Sequence, residues 1–424
     1  MNNRSARCHF FCTIFLSLLF LTQCVAQTKA PVPVEPKIRC ITAFVRLDRA
    51  SYQPQIADAL KFLKLARTTF ESRGFIVQTL RIATQPFPEY IQGLSQDQAL
   101  QFFKDLDGLA QMQNIVISIG PAYLNGNDGE VQADLLADVL KHSKALYGSV
   151  YVTSDSGVNW PAVHAAAAVM QKLAQGTVQG EGNFHFAALA SVPQATPFFP
   201  AAYLTGLGHQ FAVGLESANE VAAAVRDAPD LPTAKRRLID LFFQEASDVE
   251  NLALRIDSNW GWTYLGLDLS PAPSKDASIA TAIENISHQP LGSNGTLSAV
   301  GVITSAIKEI GLRKTGFSGV MLPVLEDPVL AERWNAGLVS LDSLLSYSSI
   351  CGTGLDTIPL PGTITNEQLT RIIGDVATLS VKWNKPLTAR LLPVVGKAPG
   401  QQTEFSDPHL LNAVIQPLSG PEPK

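Results

Sequence analysis

The feature that most constrains the fold of this chain is a regular alternation of short apolar segments with longer amphipathic ones. The apolar, β-branched segments are predicted strands, at 38–46, 76–83, 114–120, 148–154, 183–192, 210–216, 263–270, 318–325, 353–359 and 388–394. Helix-period segments lie between them, at 54–73, 95–108, 129–144, 159–175, 231–257, 296–309 and 366–382. This alternation indicates parallel strands joined by crossover helices.

The chain contains no internal segment that looks like a domain linker. Its 424 residues are 46% hydrophobic and only 16% charged, a composition that suits one large buried core. The segment richest in proline, 191–200, lies between two predicted strands. A boundary there would leave too few elements on either side, so we predict a single α/β domain over 37–418.

The charge of the chain argues against nucleic-acid binding. The net charge is −5 and the pI is near 5.8, whereas nucleic-acid-binding domains normally carry a basic patch. We therefore expect a small-molecule ligand as the partner, and the oligomeric state stays open.

The N-terminus has the pattern of a signal peptide over 1–26. Arg4 and Arg7 precede an apolar run that is too short for a membrane span, and small residues follow before Gln27. A lipoprotein would use Cys24, but Gln23 is a poor residue before a lipidated cysteine. We expect cleavage near Ala26, a proline-rich linker over 27–36, and export to the periplasm or outside the cell with no stable membrane span.

Only two cysteines remain after this cleavage, Cys40 and Cys351. In an exported protein they could form a disulfide, or one could stay reactive while the other is buried. The sequence leaves both possibilities open. Cys351 lies in a loop, 348–362, that also holds three glycines, two prolines and Asp356. Such a loop can position groups for chemistry or form a tight structural turn.

Residues 264–393 resemble a known family, the "domain of unknown function 711". The resemblance is carried by these segments in order: Gly266–Pro273, Gly295–Thr296, Phe317–Gly319, Pro323–Asp327 and Ile350–Asp356. The family is similar in fold to pyruvate formate-lyase, which implies a single α/β barrel of about ten strands with a cysteine on a central loop. No settled activity comes with the family, so the resemblance implies a fold and a site but no reaction.

The candidate catalytic residues are Asp268, Glu326, Asp356, His209 and Cys351. Each of the three acids lies in or just after a predicted strand, and His209 lies among glycines. We expect the acids and His209 to line one pocket at the carboxyl ends of parallel strands. Crowded carboxylates can do acid–base work or hold a hard cation such as Ca²⁺ or Mg²⁺. The alternative is that each acid caps a turn or a helix, as Glu326-Asp327-Pro328 suggests for a helix start.

A second set of residues is predicted to bind the substrate. Asn183 begins a predicted strand, and the others lie in or beside the segments that carry the resemblance: Asn294, Thr296, Ser318, Gly319 and Gly354. Many family members have a histidine where Asn294 stands, which puts a reaction common to the whole family in doubt.

Several reaction classes lack their patterns in this chain. It has no zinc-ligand spacing, no nucleophile elbow, no phosphate-binding loop and no dinucleotide fingerprint. The C-terminal glycines Gly396 and Gly400 do not fit a glycyl-radical motif, so radical chemistry is rejected. Two hypotheses remain. One is an exported enzyme that acts on a small polar substrate, such as a carbohydrate derivative, by carboxylate- or metal-assisted hydrolysis or elimination. The other is an exported binding protein that uses the same pocket without catalysis.

Overall fold

The computed structural model describes residues 37–124 and 129–419. The predicted signal peptide, 1–26, and the linker, 27–36, lie outside the described residues. The described residues form one compact unit. None of the described helices is both long and apolar enough to span a bilayer.

The strands are short and almost fully buried. In chain order they are β1 Lys37–Val45, β2 Ile76–Thr84, β3 Val116–Ala122, β4 Leu146–Tyr151, β5 Thr153–Ser154, β6 Gly157–Val158, β7 Phe186–Ala190, β8 Gln210–Glu216, β9 Thr263–Asp268, β10 Gly354–Pro361 and β11 Leu387–Val394. Strands β5 and β6 form a small separate hairpin, and the other nine form one sheet.

Helices occupy most of the connections. They are α1 Tyr52–Glu71, α2 Gln96–Met112, α3 Gly129–His142, α4 Trp160–Gly176, α5 Ala218–Val225, α6 Leu231–Trp260, α7 Ile279–Ser287, α8 Thr296–Glu309, α9 Pro328–Asn335, α10 Leu341–Tyr347 and α11 Asn366–Trp383. Two 3-10 segments, Phe87–Glu89 and Val178–His185, add short turns.

The sheet consists of two parallel groups that run in opposite directions. Its order is β10-β11-β7-β4-β3-β2-β1-β8-β9. Strands β1, β2, β3, β4 and β7 are parallel to one another, and the pairs β8–β9 and β10–β11 run antiparallel to them. The predicted parallel pairing is confirmed for most neighbouring strands, and the exceptions are the two antiparallel pairs β1–β8 and β7–β11.

An irregular segment, 313–324, closes the sheet into a barrel. Lys314 forms a single parallel bridge with Leu267 of β9, and Pro323 forms one with Asp356 of β10. The segment thus fills a tenth strand position between the two edges of the sheet. The predicted α/β barrel of about ten strands is confirmed, but the predicted strand 318–325 is not a regular strand. Pro323 lacks an amide hydrogen, and Asp268 and Ser270 side chains bind the amides of residues 317–319.

The core is divided by the barrel wall. Side chains on the outer face of the sheet, such as Ile41 and Ala43 of β1, pack with the helices in one large cluster. Side chains on the inner face, such as Cys40 and Phe44, form two smaller clusters with loop residues. The helices therefore coat the barrel, and the space inside it is bounded by strands and loops.

Candidate functional site

A cavity of about 460 Å³ lies inside the barrel. Its apolar wall includes Phe198, Phe199, Phe317 and Met321. The charged side chains that line it are Arg39, Arg81, Lys275, Asp276, Glu326, Asp356 and Arg390. Arg39, Arg81, Asp356 and Arg390 lie within strands rather than after their last residues. The prediction of a site at the carboxyl ends of the strands is therefore wrong: this site lies in the interior of the barrel.

Arg390 of β11 organises the acids of the cavity. Its Nη1 donates to Glu326 Oε1 at 3.0 Å and to Asp356 Oδ1 at 3.3 Å. The rest of its guanidinium donates to the Phe184 carbonyl, at 3.2 Å from Nε and 2.9 Å from Nη2. The guanidinium also lies over the Phe184 ring. Because these contacts fix the plane of the arginine, the two carboxyl groups are held side by side.

Arg39 of β1 extends this network to a third acid. Its guanidinium binds Glu216 at 2.9 Å, and its other terminal nitrogen lies 3.6 Å from Glu326. Arg39 is the extra residue of a β-bulge, since Ile38 pairs with Leu215 and Cys40 pairs with Gly214. A bulge re-aims side chains, which explains how Arg39 lines the cavity while the adjacent Cys40 packs in an inner cluster. The bulge thus places a cation where alternation would place none.

Asp356 titrates near neutrality. Burial raises the pKa of Asp356 to about 6, Arg390 opposes that rise, and the negative charge of Glu326 adds to it. A carboxyl group with such a pKa is present in both protonation states at neutral pH, which suits a general acid or base.

Arg81 of β2 differs from the other two arginines. Its Nε donates to Thr79 Oγ1 at 3.0 Å, and its guanidinium lies 5.1 Å from the centre of the Phe199 ring. No carboxylate among residues 37–124 and 129–419 forms an ion pair with it. Burial lowers the pKa of Arg81, but an arginine stays charged at neutral pH. The cavity therefore contains one guanidinium that forms no ion pair with the described residues.

Tyr147 and His185 support the wall beside this arginine. Their rings stack at 4.3 Å, and Tyr147 also contacts Phe199. Burial raises the pKa of Tyr147 to about 12 and lowers the pKa of His185 to about 4. Both side chains are therefore neutral at pH 7, and they leave the charge of Arg81 unchanged.

The comparison with protein families identifies the family of this chain. Residues 34–407 match the model described as "Uncharacterised ACR (DUF711)". The chain belongs to the DUF711 family. A UPF0210 protein of Pyrobaculum islandicum is 30% identical over 83% of this chain and 81% of its own length. A UPF0210 protein of Actinobacillus pleuropneumoniae is 25% identical, over 86% of this chain and 85% of its own.

Solved structures with a distant similarity include the anaerobic ribonucleotide reductase of Thermotoga maritima. The structure of that enzyme in complex with dATP and CTP aligns with 83% of this DUF711 chain and with 75% of the reductase chain, with a TM-score of 0.41 and 8% identity. A second structure, with dATP in the specificity site, gives a TM-score of 0.43 at 8% identity.

The structure brings together two of the acids in the DUF711 segments, Glu326 and Asp356. The third candidate catalytic acid, Asp268, is fully buried but does not line the cavity. Its carboxylate accepts hydrogen bonds from Ser270 N and Oγ and from the amides of Phe317 and Ser318, at 2.7–3.0 Å. The prediction that Asp268 shares the pocket is therefore wrong, because its oxygens anchor the segment that closes the barrel.

His209 does not lie in the cavity either. Its side chain is 67% exposed, stacks on Trp262 and lies 3.7 Å from Asp58. The prediction that it lies near the acids is wrong, because it precedes β8 and lies on the surface of the molecule.

Cys351 is buried in the outer core, and Cys40 is buried in an inner cluster. Both are free thiols. Lys385 donates to the carbonyl oxygens of Ser348 and Cys351, and the Gly352 amide donates to Val320 O at 2.6 Å. Gly352 also lies so close to Gly319 that a Cβ on either would approach the other within 2.8 Å. These contacts make the Cys351 loop a packed element of the barrel wall, and they place its thiol outside the cavity.

The residues predicted to bind substrate also lie outside the cavity wall. The Asn183 amide donates to the carbonyl oxygens of Met170 and Gly180, and Thr296 Oγ1 accepts from the Gly292 amide. Asn294 is exposed. Ser318 and Gly319 belong to the segment that closes the barrel, and Gly354 begins β10 with a φ of +94°. The roles of these residues in substrate binding stay predictions. The contacts described here for Asn183 and Thr296 are made within the protein and hold its backbone in place.

No group of three or more His, Cys, Asp or Glu side chains that could hold a metal ion occurs among the residues that the structure describes. Glu326 and Asp356 instead share a guanidinium, which occupies the position that a cation would take between them. The geometry therefore gives no support to the expected Ca²⁺ or Mg²⁺ ligands.

The sequence reasoning missed the three arginines. A signal was present, since Arg39, Arg81 and Arg390 each lie inside a predicted strand that is mostly apolar or β-branched. Both faces of a barrel strand are covered, and arginine is rarely buried without a partner. An arginine in the middle of such a strand therefore indicates a polar interior.

Proposed function

We propose that this DUF711 protein is an enzyme that catalyses an elimination on a small polar substrate bound inside the barrel. Glu326 acts as the base and Asp356 as the acid. The observation that carries this proposal is a pair of acids, Glu326 and Asp356, that share Arg390. Burial raises the pKa of Asp356 to about 6, although Arg390 opposes that rise.

The position of the two acids favours elimination over hydrolysis. Their oxygens contact one guanidinium nitrogen, so both face the substrate from the same side. Glu326 removes a proton from carbon, and the electrons of that C–H bond form a double bond. The leaving oxygen departs with the proton that Asp356 supplies. Inverting glycosidases instead place their two carboxyl groups on opposite sides of the reacting centre.

The test is a turnover screen of the purified protein against small polar metabolites, including carbohydrate derivatives, with mass detection of products. A product lighter than its substrate by the leaving group is expected. Asp356→Asn and Glu326→Gln should abolish its formation, while Asp155→Asn, which removes an exposed carboxylate from the β5–β6 hairpin, should leave it unchanged. Undiminished turnover in Asp356→Asn would remove the proposal.

We also propose that the chain is exported after cleavage near Ala26. The support is the N-terminal pattern of Arg4 and Arg7, a short apolar run and small residues. The intact mass of protein recovered from outside the cytoplasm decides the matter, because a retained 1–26 segment contradicts export by cleavage.

A further inference from the structure

The three arginines of the cavity differ in what compensates their charge. Arg39 pairs with Glu216 and Glu326, and Arg390 pairs with Glu326 and Asp356. Within the described ranges, 37–124 and 129–419, Arg81 has no carboxylate partner. Lys37 also pairs with Glu216, at 3.6 Å. Three cations and three acids thus form this network, and Arg81 stands outside it.

Arg81 is also oriented in advance. Its Nε is fixed by Thr79 Oγ1, and the flat face of its guanidinium lies against Phe199. The two terminal nitrogens have no hydrogen-bond partner among the described residues, although Arg81 lines the cavity. A guanidinium whose Nε and face are held presents its two terminal nitrogens as a fork, the geometry that binds a carboxylate with two parallel hydrogen bonds.

The neighbouring groups do not neutralise this fork. Tyr147 and His185 are uncharged at neutral pH, since burial raises the pKa of the tyrosine and lowers that of the histidine. Glu326 is already bound to Arg390 and lies near Arg39. Leaving a half-buried charge unpaired is costly, and a bound anion with a single negative charge would compensate it.

We propose that Arg81 is the substrate-anchoring residue of the cavity and that the substrate is a small organic carboxylate. This inference rests on the proposed function and gives it a substrate class. One free guanidinium matches the single charge of a carboxylate better than the nearly double charge of a phosphate monoester at neutral pH. The carbon next to the bound carboxylate then carries the proton that Glu326 removes, because the adjacent guanidinium stabilises the negative charge that develops on the carboxylate oxygens.

The experiment is a binding titration at low ionic strength and pH 7.5 with acetate, succinate and citrate. Inorganic phosphate tests the other oxyanion, and glycerol is the neutral control. Heat of binding is measured for the full chain and for four variants: Arg81→Gln, Arg81→Lys, Arg73→Gln and Asp356→Asn. Arg73 is an exposed arginine just before β2, so its variant removes the same charge away from the cavity.

We expect at least one of the three carboxylates to bind. Arg81→Gln should weaken that binding at least about tenfold, because charge-assisted bonds to a guanidinium are lost. Arg81→Lys keeps the charge but loses the fork, so it should fall between Arg81→Gln and the unmodified chain. Arg73→Gln should bind as the unmodified chain does, and Asp356→Asn should bind at least as tightly, since it removes a negative charge from the cavity. Circular dichroism of Arg81→Gln checks its fold, and Arg81→Lys keeps the test valid if that variant is unfolded.

Three results would overturn the inference: no binding of any carboxylate, equal binding by Arg81→Gln, or a preference for phosphate that depends on Arg81. The two proposals fail in different ways. If carboxylate binding depends on Arg81 but the metabolite screen shows no turnover, the proposed elimination is rejected and Arg81 is kept as the anchoring residue. If Asp356→Asn abolishes turnover but Arg81→Gln does not affect binding, Arg81 is not the anchoring residue and the proposed elimination still stands.

Discussion

Asp268 and Asp327 are buried among hydrogen-bond donors of the chain itself, whereas Glu326 and Asp356 are buried beside arginines at a cavity. Asp268 accepts four hydrogen bonds, three of them from backbone amides. Asp327 caps α9 and accepts from the Val329 and Leu330 amides, and also from Ser278 Oγ and the Ala280 amide. Neither has an ion-pair partner in the described part of the chain.

The contrast teaches how to separate structural acids from functional ones when all of them are buried. A carboxylate whose lone pairs are filled by amides has no capacity left for a ligand. A carboxylate that shares an arginine beside open space keeps an oxygen available for a ligand. Glu326 and Asp327 are adjacent in sequence, yet Asp327 is bound by amides and Glu326 lies beside an arginine at the cavity.

The largest effect is expected at Asp268. Asp268→Ala leaves three amides and one hydroxyl without their acceptor, and each buried unpaired donor costs about 1–3 kcal/mol. We expect the free energy of unfolding to fall by at least ~3 kcal/mol, measured by urea denaturation. The exposed Asp276→Asn is the control and should change stability by less than about 0.5 kcal/mol. An equally small loss in Asp268→Ala would erase the distinction between the two kinds of acid.

Glu326→Gln should have the next largest effect on stability. Glu326 is the only carboxylate in the described network that both Arg390 and Arg39 contact, at 3.0 and 3.6 Å. Removing its charge leaves two buried guanidinium groups with one acid each, so we expect a loss of about 2–3 kcal/mol together with loss of turnover. Urea denaturation and the turnover screen measure the two effects. Unchanged stability would show that Arg390 is compensated by Asp356 alone.

Asp356→Asn should have the opposite sign at neutral pH. The folded pKa of Asp356, about 6, lies above the ordinary value of 3.8. Its contribution to stability is therefore present below pH 4 and is lost as the pH rises through about 6. Relative to the unmodified protein, Asp356→Asn should gain about 1–3 kcal/mol between pH 4 and pH 8. Parallel unfolding curves of the two proteins across this range give the difference, and a difference that does not change with pH would contradict the raised pKa.

The smallest effect is expected at His209. It is exposed and has a left-handed backbone, with a φ of +54°, which asparagine tolerates. His209→Asn should change stability by less than about 0.5 kcal/mol and leave turnover unchanged. If His209→Asn loses turnover while its fold is intact, His209 takes part in the reaction after all.

Regular elements could be predicted where the apolar pattern has clear ends. Strand β8 and helix α8 match their predicted ranges, 210–216 and 296–309, and the helix start at Asp327-Pro328 is confirmed. Short helices such as α5 and α10 were missed because seven or eight residues show little periodicity. Segment 318–325 was assigned as a strand on its apolar content, but the amides of Ser318 and Gly319 bind side chains that lie about fifty positions earlier in the sequence.

The cavity was harder to predict than the fold. Glu326 and Asp356 were chosen from the segments that carry the DUF711 resemblance, and those segments also contain the anchors Asp268 and Asp327. Only the closed barrel shows which acids face the interior. The arginines come from three strands that are distant in sequence, and the bulge at Arg39 reverses the face that alternation would give it.

The closure of the barrel has a consequence for how variation acts on this chain. Nine strands are joined by ladders of backbone bonds, and no single side chain controls a ladder. Between residues 317 and 320 the tenth position is held by Asp268, Ser270 and Thr304 side chains. A single substitution at Asp268 therefore removes the acceptor of two of these amides and leaves every backbone ladder intact. The seam is thus the part of the barrel wall where one side chain holds most, although backbone bonds such as Gly352 N to Val320 O also hold it.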